Sequence, residues 1–154
     1  MEKTTLPEFT LVGITLEKKT TNKNGQSAID CGMLWQKFET GKYVERISDK
    51  SGEEIFAVYF DYEGDSSQPY SYFIGCKVKP GLEIPPGMSR LEIPADEYIK
   101  LSAKGEMPDC VADCWREIWN SPMDRAYHYD FEMYDERSKD WNNAEVDIFV
   151  SSPQ

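Results

Sequence analysis

Apolar residues recur along this chain with two different periods. Period-two alternation over residues 9–17, 55–62, 70–78, 89–93, 97–103, 125–134 and 145–151 predicts seven strands. A 3.6-residue stripe of Ala28, Cys31, Leu34, Trp35 and Phe38 predicts a helix over 27–40. Ser27 is its expected N-cap, Asp30 favours its N-terminus, and Gly41 stops it. A second stripe, Val111, Cys114, Trp115 and Ile118, predicts a helix from a cap at Asp109 to about Asn120, closed by Ser121-Pro122. Gly13, inside the first strand, marks a bulge or a close backbone approach. The turn-rich run 63–69 joins two strands into a hairpin. Pro80-Gly81, Pro85-Pro86-Gly87 and Pro94-Ala95 punctuate a crossover through which the apolar Leu82, Ile84 and Met88 continue.

The second half repeats the order of the first. Trp35-Gln36-Lys37-Phe38 lies over Trp115-Arg116-Glu117-Ile118, and Tyr59-Phe60-Asp61-Tyr62 over Asp130-Phe131-Glu132-Met133, so Asp61 and Glu132 fall at equivalent places. A duplicated βαββ unit leaves this kind of self-similarity. The expected fold is α+β: one domain over 1–154, with repeat one over about 8–80 and repeat two over about 88–152. The repeats would form one antiparallel sheet with both helices on one face. Phe56, Val58, Phe60, Phe131, Val146, Ile148 and Val150 are expected beneath the helices. Ala57, Tyr59, Asp61, Phe73, Tyr98, Glu132 and Phe149 are expected on the other face, near the junction of the halves. Contiguous aromatic surface with carboxylates in it is a candidate ligand groove.

The run 126–135 sharpens that candidate. Alternation puts Tyr127, Tyr129, Phe131 and Met133 on one side, and His128, Asp130, Glu132 and Tyr134 on the other. Desolvating a mid-strand carboxylate costs several kcal/mol unless a partner compensates it. Glu132 among aromatics suits a cation whose flat body rests on the rings; the spacing alone equally allows Glu132 to point to water.

Bulk composition narrows the alternatives. The 154 residues are enough for one sizeable core. With 28 acidic and 17 basic residues the net charge is −11, which opposes binding to a phosphate backbone or an anionic membrane and favours cationic ligands. No apolar run reaches the roughly 20 residues of a membrane span, and Met1-Glu2-Lys3-Thr4-Thr5 lacks a signal-peptide pattern, so a cytoplasmic location is expected. Cys31, Cys76, Cys110 and Cys114 lack metal-site spacing and are expected as free thiols. His128 is the only histidine, which leaves standard triad chemistry without a general base.

In their order along the chain, several pieces resemble the GyrI-like effector-binding domains. These are Met33-Leu34-Trp35-Gln36-Lys37-Phe38, Ala57-Val58-Tyr59-Phe60-Asp61-Tyr62-Glu63, Tyr72-Phe73-Ile74-Gly75-Cys76-Lys77-Val78 and Ile93-Pro94-Ala95-Asp96-Glu97-Tyr98, then Trp115-Arg116-Glu117-Ile118-Trp119, Asp130-Phe131-Glu132-Met133-Tyr134 and Val146-Asp147-Ile148-Phe149-Val150. Domains of that family occur fused to AraC-type and MerR-type transcription regulators and alone, some on mobile integron cassettes. The resemblance implies two pseudo-two-fold-related repeats with a cleft between them that takes lipophilic organic cations. It implies Glu132 as the cleft acid, framed by Tyr59, Tyr98, Trp119 and Phe149, with Phe73 and Asp61 at the margin. Trp35 and Trp115, in the helix stripes, are expected in the core; Tyr134 is expected as cleft rim or strand surface. No cofactor, metal or catalytic residue is expected. No helix-turn-helix segment is legible, so regulation would need a separate DNA-binding partner, or the chain works with none. Two other readings follow from relatives of the same kind: a small-molecule hydrolase with Glu132 as acid and base beside a Tyr, and a protein-interaction module such as a gyrase inhibitor.

Overall fold

The computed structural model describes residues 2–81 and 83–153; Leu82 of the expected crossover lies outside them. The strands are β1 (Glu2–Leu6), β2 (Phe9–Thr15), β3 (Lys50–Phe60), β4 (Ser71–Val78), β5 (Ser89–Ile93), β6 (Asp96–Gly105), β7 (Asp130–Tyr134) and β8 (Ala144–Ser151). The helices are α1 (Gln26–Thr40), the single turn α2 (Tyr43–Arg46) and α3 (Asp109–Trp119). All eight strands join one sheet in the order β1-β6-β8-β7-β3-β4-β2-β5, and every pairing is antiparallel. Exchanging β1 with β5, β2 with β6, β3 with β7 and β4 with β8 reproduces this order read from the opposite edge. The pseudo-two-fold axis therefore runs between β3 and β7. Each βαββ unit is extended by the leading strand of the other: β1 pairs with β6, and β5 with β2. Among the described residues no helix is long and apolar enough to cross a membrane.

The element boundaries carry local corrections. α1 starts one residue before Ser27, after Gly25 in a left-handed conformation with φ 70°, so Ser27 is not its cap. Pro108, not Asp109, stands at the cap of α3. The strand expected over 125–134 shrinks to β7, because Tyr127 at φ 56° breaks the pleat before Asp130.

Pairing register decides which side chains share a face. Ile148 opposes Glu132, Glu132 opposes Ala57, Ala57 opposes Ile74, and Ile74 opposes Ile14. This row lies beneath the helices: Ile14, Ala57 and Ile74 pack with Leu34 and Phe38 of α1, and Ile148 packs with Val111, Cys114 and Trp115 of α3. The next row, Phe149, Phe131, Val58 and Phe73, faces the other way into a separate core with Leu11, Phe56, Ile93 and Tyr98. The expected faces are thus corrected. Val146, Ile148 and Val150 lie under the helices and Phe73, Tyr98 and Phe149 on the far face, as expected, whereas Phe56, Val58, Phe60 and Phe131 do not lie under the helices. Ala57, Tyr59 and Glu132 take the helix side, and the far face is a filled core, not a groove. Phe9 of β2 reaches Phe131 of β7 with ring centroids 5.6 Å apart, although three strand spacings of a flat sheet would separate them by about 14 Å. The sheet curls around this second core.

Gly13 and Gly75 oppose each other across β2 and β4, and a Cβ on either would enter the backbone of the partner strand. Gly13→Ala is therefore expected to lower the unfolding free energy by about 1–3 kcal/mol. Denaturant titration checks this, and a loss under about 0.5 kcal/mol would show that the strands part without penalty.

Candidate functional site

α1 and α3 stand on either side of the pseudo-two-fold axis and leave a cavity of about 410 Å³ between them. Its floor is the central part of the sheet, where Glu132 occupies the axial row. The walls include Cys31 and Trp35 from α1 and Val111, Trp115 and Trp119 from α3, with Tyr59, Tyr72 and Tyr134 beside the acid. Each helix needs an apolar stripe to sit on the sheet, and each places a Trp where that stripe turns toward the gap. Trp35 Nε1 donates to Tyr72 Oη at 2.8 Å, and Trp115 Nε1 donates to Glu132 Oε2 at 2.7 Å.

Glu132 is buried, at 2% exposure, and three neutral donors hold it. Tyr59 Oη donates to Oε2 at 2.6 Å and Tyr134 Oη to Oε1 at 2.5 Å, completing the set with Trp115. Burial pushes the carboxyl above its ordinary value near 4.5, and the hydrogen bonds from Tyr134, Tyr59 and Trp115 draw it only partly back. Burial, and then the adjacent carboxylate, raise Tyr59 and Tyr134 well above the usual phenol range, so both stay protonated as donors. Tyr59 meets Trp115 at 5.0 Å and Tyr72 at 4.9 Å between ring centroids, and Trp35 meets Tyr134 edge-on at 5.1 Å. The result is one buried carboxylate whose hydrogen-bond partners among the described residues are all neutral, inside a wall of aromatic rings.

The structure brings together some of the residues expected from sequence and separates others. Glu132, Tyr59 and Trp119 share the cavity; Trp119, 43% exposed, stands at its mouth. Phe73, Tyr98 and Phe149 do not reach it. They lie in the core on the opposite face, because their register positions belong to the Phe131 row. Asp61 is solvent-exposed, 3.5 Å from Lys19 Nζ, and borders a different hollow. Trp35 and Trp115, expected as core, have stripe positions but also line the cavity and make polar contacts there. Tyr134 and Arg125 also line it. No periodic signal could have found Arg125, since it precedes the break at Tyr127. The four cysteines are unpaired thiols, and among the described residues no three His, Cys, Asp or Glu side chains converge as a metal site.

The family described as integron-associated effector binding protein matches residues 4–151. An integron cassette protein from the mobile metagenome of Vibrio cholerae is 29% identical with a TM-score of 0.70, over 97% of this chain and 94% of that one. SAV2435, solved bound to tetraphenylphosphonium, has the same fold at a TM-score of 0.80 and 18% identity, over 99% of this chain and 93% of that one. YobU of Bacillus subtilis (strain 168) is 27% identical, over 77% of this chain and 74% of its own length.

Proposed function

We propose that this chain, which belongs to the family of integron-associated effector-binding proteins, is a binding module for lipophilic aromatic organic cations and acts by binding without turnover. One observation carries the reading: Glu132 is buried in an aromatic cavity with only neutral partners. A desolvated carboxylate that lacks a cation is poorly satisfied, and a ligand that brings one makes good the deficit. The surrounding rings add about 0.5–2 kcal/mol each through cation–π contact. A cavity of about 410 Å³ suits a drug-sized molecule. SAV2435, which shares the fold, was solved with tetraphenylphosphonium, a cation of this class. The acid selects the sign of the charge, and the rings accept many shapes. Neither a regulator nor a gyrase subunit is required for this binding step.

Rhodamine 6G and fluorescein, a cationic and an anionic dye of similar size, test the reading. Trp35, Trp115 and Trp119 line the cavity and provide an intrinsic fluorescence signal. Saturable binding of rhodamine 6G in the micromolar range is expected, about −8 kcal/mol on the affinity scale, with fluorescein bound at least about tenfold more weakly. Equal affinity for both dyes would remove the charge selectivity on which the proposal depends.

A further inference from the structure

A second polar group borders the Glu132 cavity, and its chemistry is opposite in kind. Arg125 lines the same space, yet its side chain is only 6% exposed. Its Nη2 donates to Asp130 Oδ2 at 2.8 Å. Asp130 is wholly buried and already saturated: Ser151 N and Oγ donate to Oδ1 at 2.6 and 2.8 Å, and Tyr62 Oη donates to Oδ2 at 2.5 Å. A guanidinium carries five N–H donors. Among the described residues the bond to Asp130 is the one hydrogen bond this guanidinium makes, and its Nε is enclosed without a partner. Buried donors left unmet are uncommon and costly.

The surroundings hold this arginine in place. Its Cζ lies 4.4 Å from the ring centroid of Tyr127 and 5.7 Å from that of Trp115. Tyr127 reaches that position through a backbone at φ 56°, a left-handed conformation that strains a bulky residue. Its ring also meets Tyr62 edge-on at 5.4 Å. Trp115 touches both groups, since its Nε1 donates to Glu132 while its ring faces Arg125. The acid and the arginine are therefore about one indole apart along one wall.

We propose that Arg125 forms a hydrogen-bond-donating subsite of the Glu132 cavity, so that the preferred ligands are aromatic cations that also carry a neutral acceptor oxygen across the ring from the charge. The proposal rests on the cation reading of Glu132 and narrows its ligand class. Asp130 already neutralises the guanidinium, so Arg125 does not repel a cation held by Glu132. For the same reason it favours a ketone, ester or ether oxygen over a second carboxylate. An acceptor there meets the terminal Nη hydrogens that Asp130 does not use, not the enclosed Nε, and hydrogen bonds to charged groups are among the stronger ones.

Three matched probes separate the possibilities: triphenylphosphonium ions whose fourth ring carries a para acetyl, isopropyl or carboxylate group. The native chain is expected to bind the acetyl probe about tenfold more tightly than the isopropyl probe, and more tightly than the carboxylate probe. In Arg125→Met/Asp130→Asn, which removes both charges so that neither is stranded, the ratio of acetyl to isopropyl affinity should fall to about one. A ratio of about one in the native chain, or a ratio that survives in the double variant, overturns the subsite. Tightest binding of the carboxylate probe overturns the preference for a neutral acceptor. The Glu132 reading is judged separately, by whether Glu132→Gln weakens the isopropyl probe; failure of all three probes to bind overturns both.

Discussion

Glu132→Gln should weaken binding of an aromatic monocation by about thirtyfold or more while making the ligand-free protein more stable at neutral pH. The binding loss follows from removing one partner of a desolvated charge pair, about 2–5 kcal/mol. The stability gain follows from the acid's surroundings in the absence of ligand. Burial raises the Glu132 carboxyl above its ordinary value near 4.5, and three neutral hydrogen bonds recover only part of the shift. A carboxyl whose folded pKa lies above its unfolded one binds its proton more tightly when folded. Its contribution to stability is fully present below about 4.5 and is lost as pH rises through the raised folded value. Gln has no proton to lose. The native and variant chains should therefore be closest in stability at acid pH, with the native falling behind as pH rises from about 4.5 through the folded pKa and the gap constant above it. Cation affinity runs the other way: it weakens as pH drops through that value, because the ligand needs the carboxylate. Denaturant titrations of both chains across about pH 4 to 8, paired with dye titrations, check both halves. Undiminished cation affinity in Glu132→Gln would defeat the ion-pair role. A variant less stable than the native chain at neutral pH would show that the three donors fully compensate the charge.

Much of this architecture is legible in the sequence, for physical reasons that also explain what is not. α1, α3 and the inner strands bury apolar stripes, so the 3.6-residue and two-residue periods are written into them. β1 is an edge strand of sequence EKTTL, exposed at alternate or successive positions, and has no buried stripe to read. Face assignment fails for a different reason. A one-residue change of register moves every side chain of a strand to the other face, and no single strand reveals its partner's register. Phe131 opposite Phe149, with Glu132 opposite Ile148, fixes the faces here, and only the assembled sheet contains that information. Phe73, Tyr98 and Phe149 lie on the face away from the helices, as expected, but Ala57, Tyr59 and Glu132, expected beside them, belong to the helix side, so those three rings do not reach the acid. Trp35 and Trp115 pack in the core as their stripe positions predict, but they also line the cavity, since a stripe position does not say where the far end of an indole reaches. Glu132 stood out as a mid-strand carboxylate among apolar residues, but whether it needs a partner depends on its pointing inward, which only the assembled sheet shows.

Asp130→Ala should act opposite in sign to Glu132→Gln, although the two acids lie two residues apart on one strand face. Both are buried, at 0% and 2% exposure. Asp130 has a guanidinium at 2.8 Å and donors from Ser151 and Tyr62; Glu132 has neutral donors alone. Truncating Asp130 strands the charge of Arg125 and should destabilise the protein by about 3–5 kcal/mol. For a chain of this length that lowers Tm by about 6–20 °C. It should also loosen the segment before β7, where Ala126 N to Ser151 O and His128 N to Ser151 Oγ depend on Ser151 staying bonded to Asp130. Arg125→Met/Asp130→Ala should recover part of the loss, since no charge is then left alone. Thermal unfolding of the single and double variants measures this coupling, and equal destabilisation by both would show that the ion pair contributes nothing beyond its packing. The contrast is what separates the roles of the two acids. Asp130 is completed by its own chain, whereas Glu132 has no cationic partner among the described residues, and on the proposed reading a ligand supplies it.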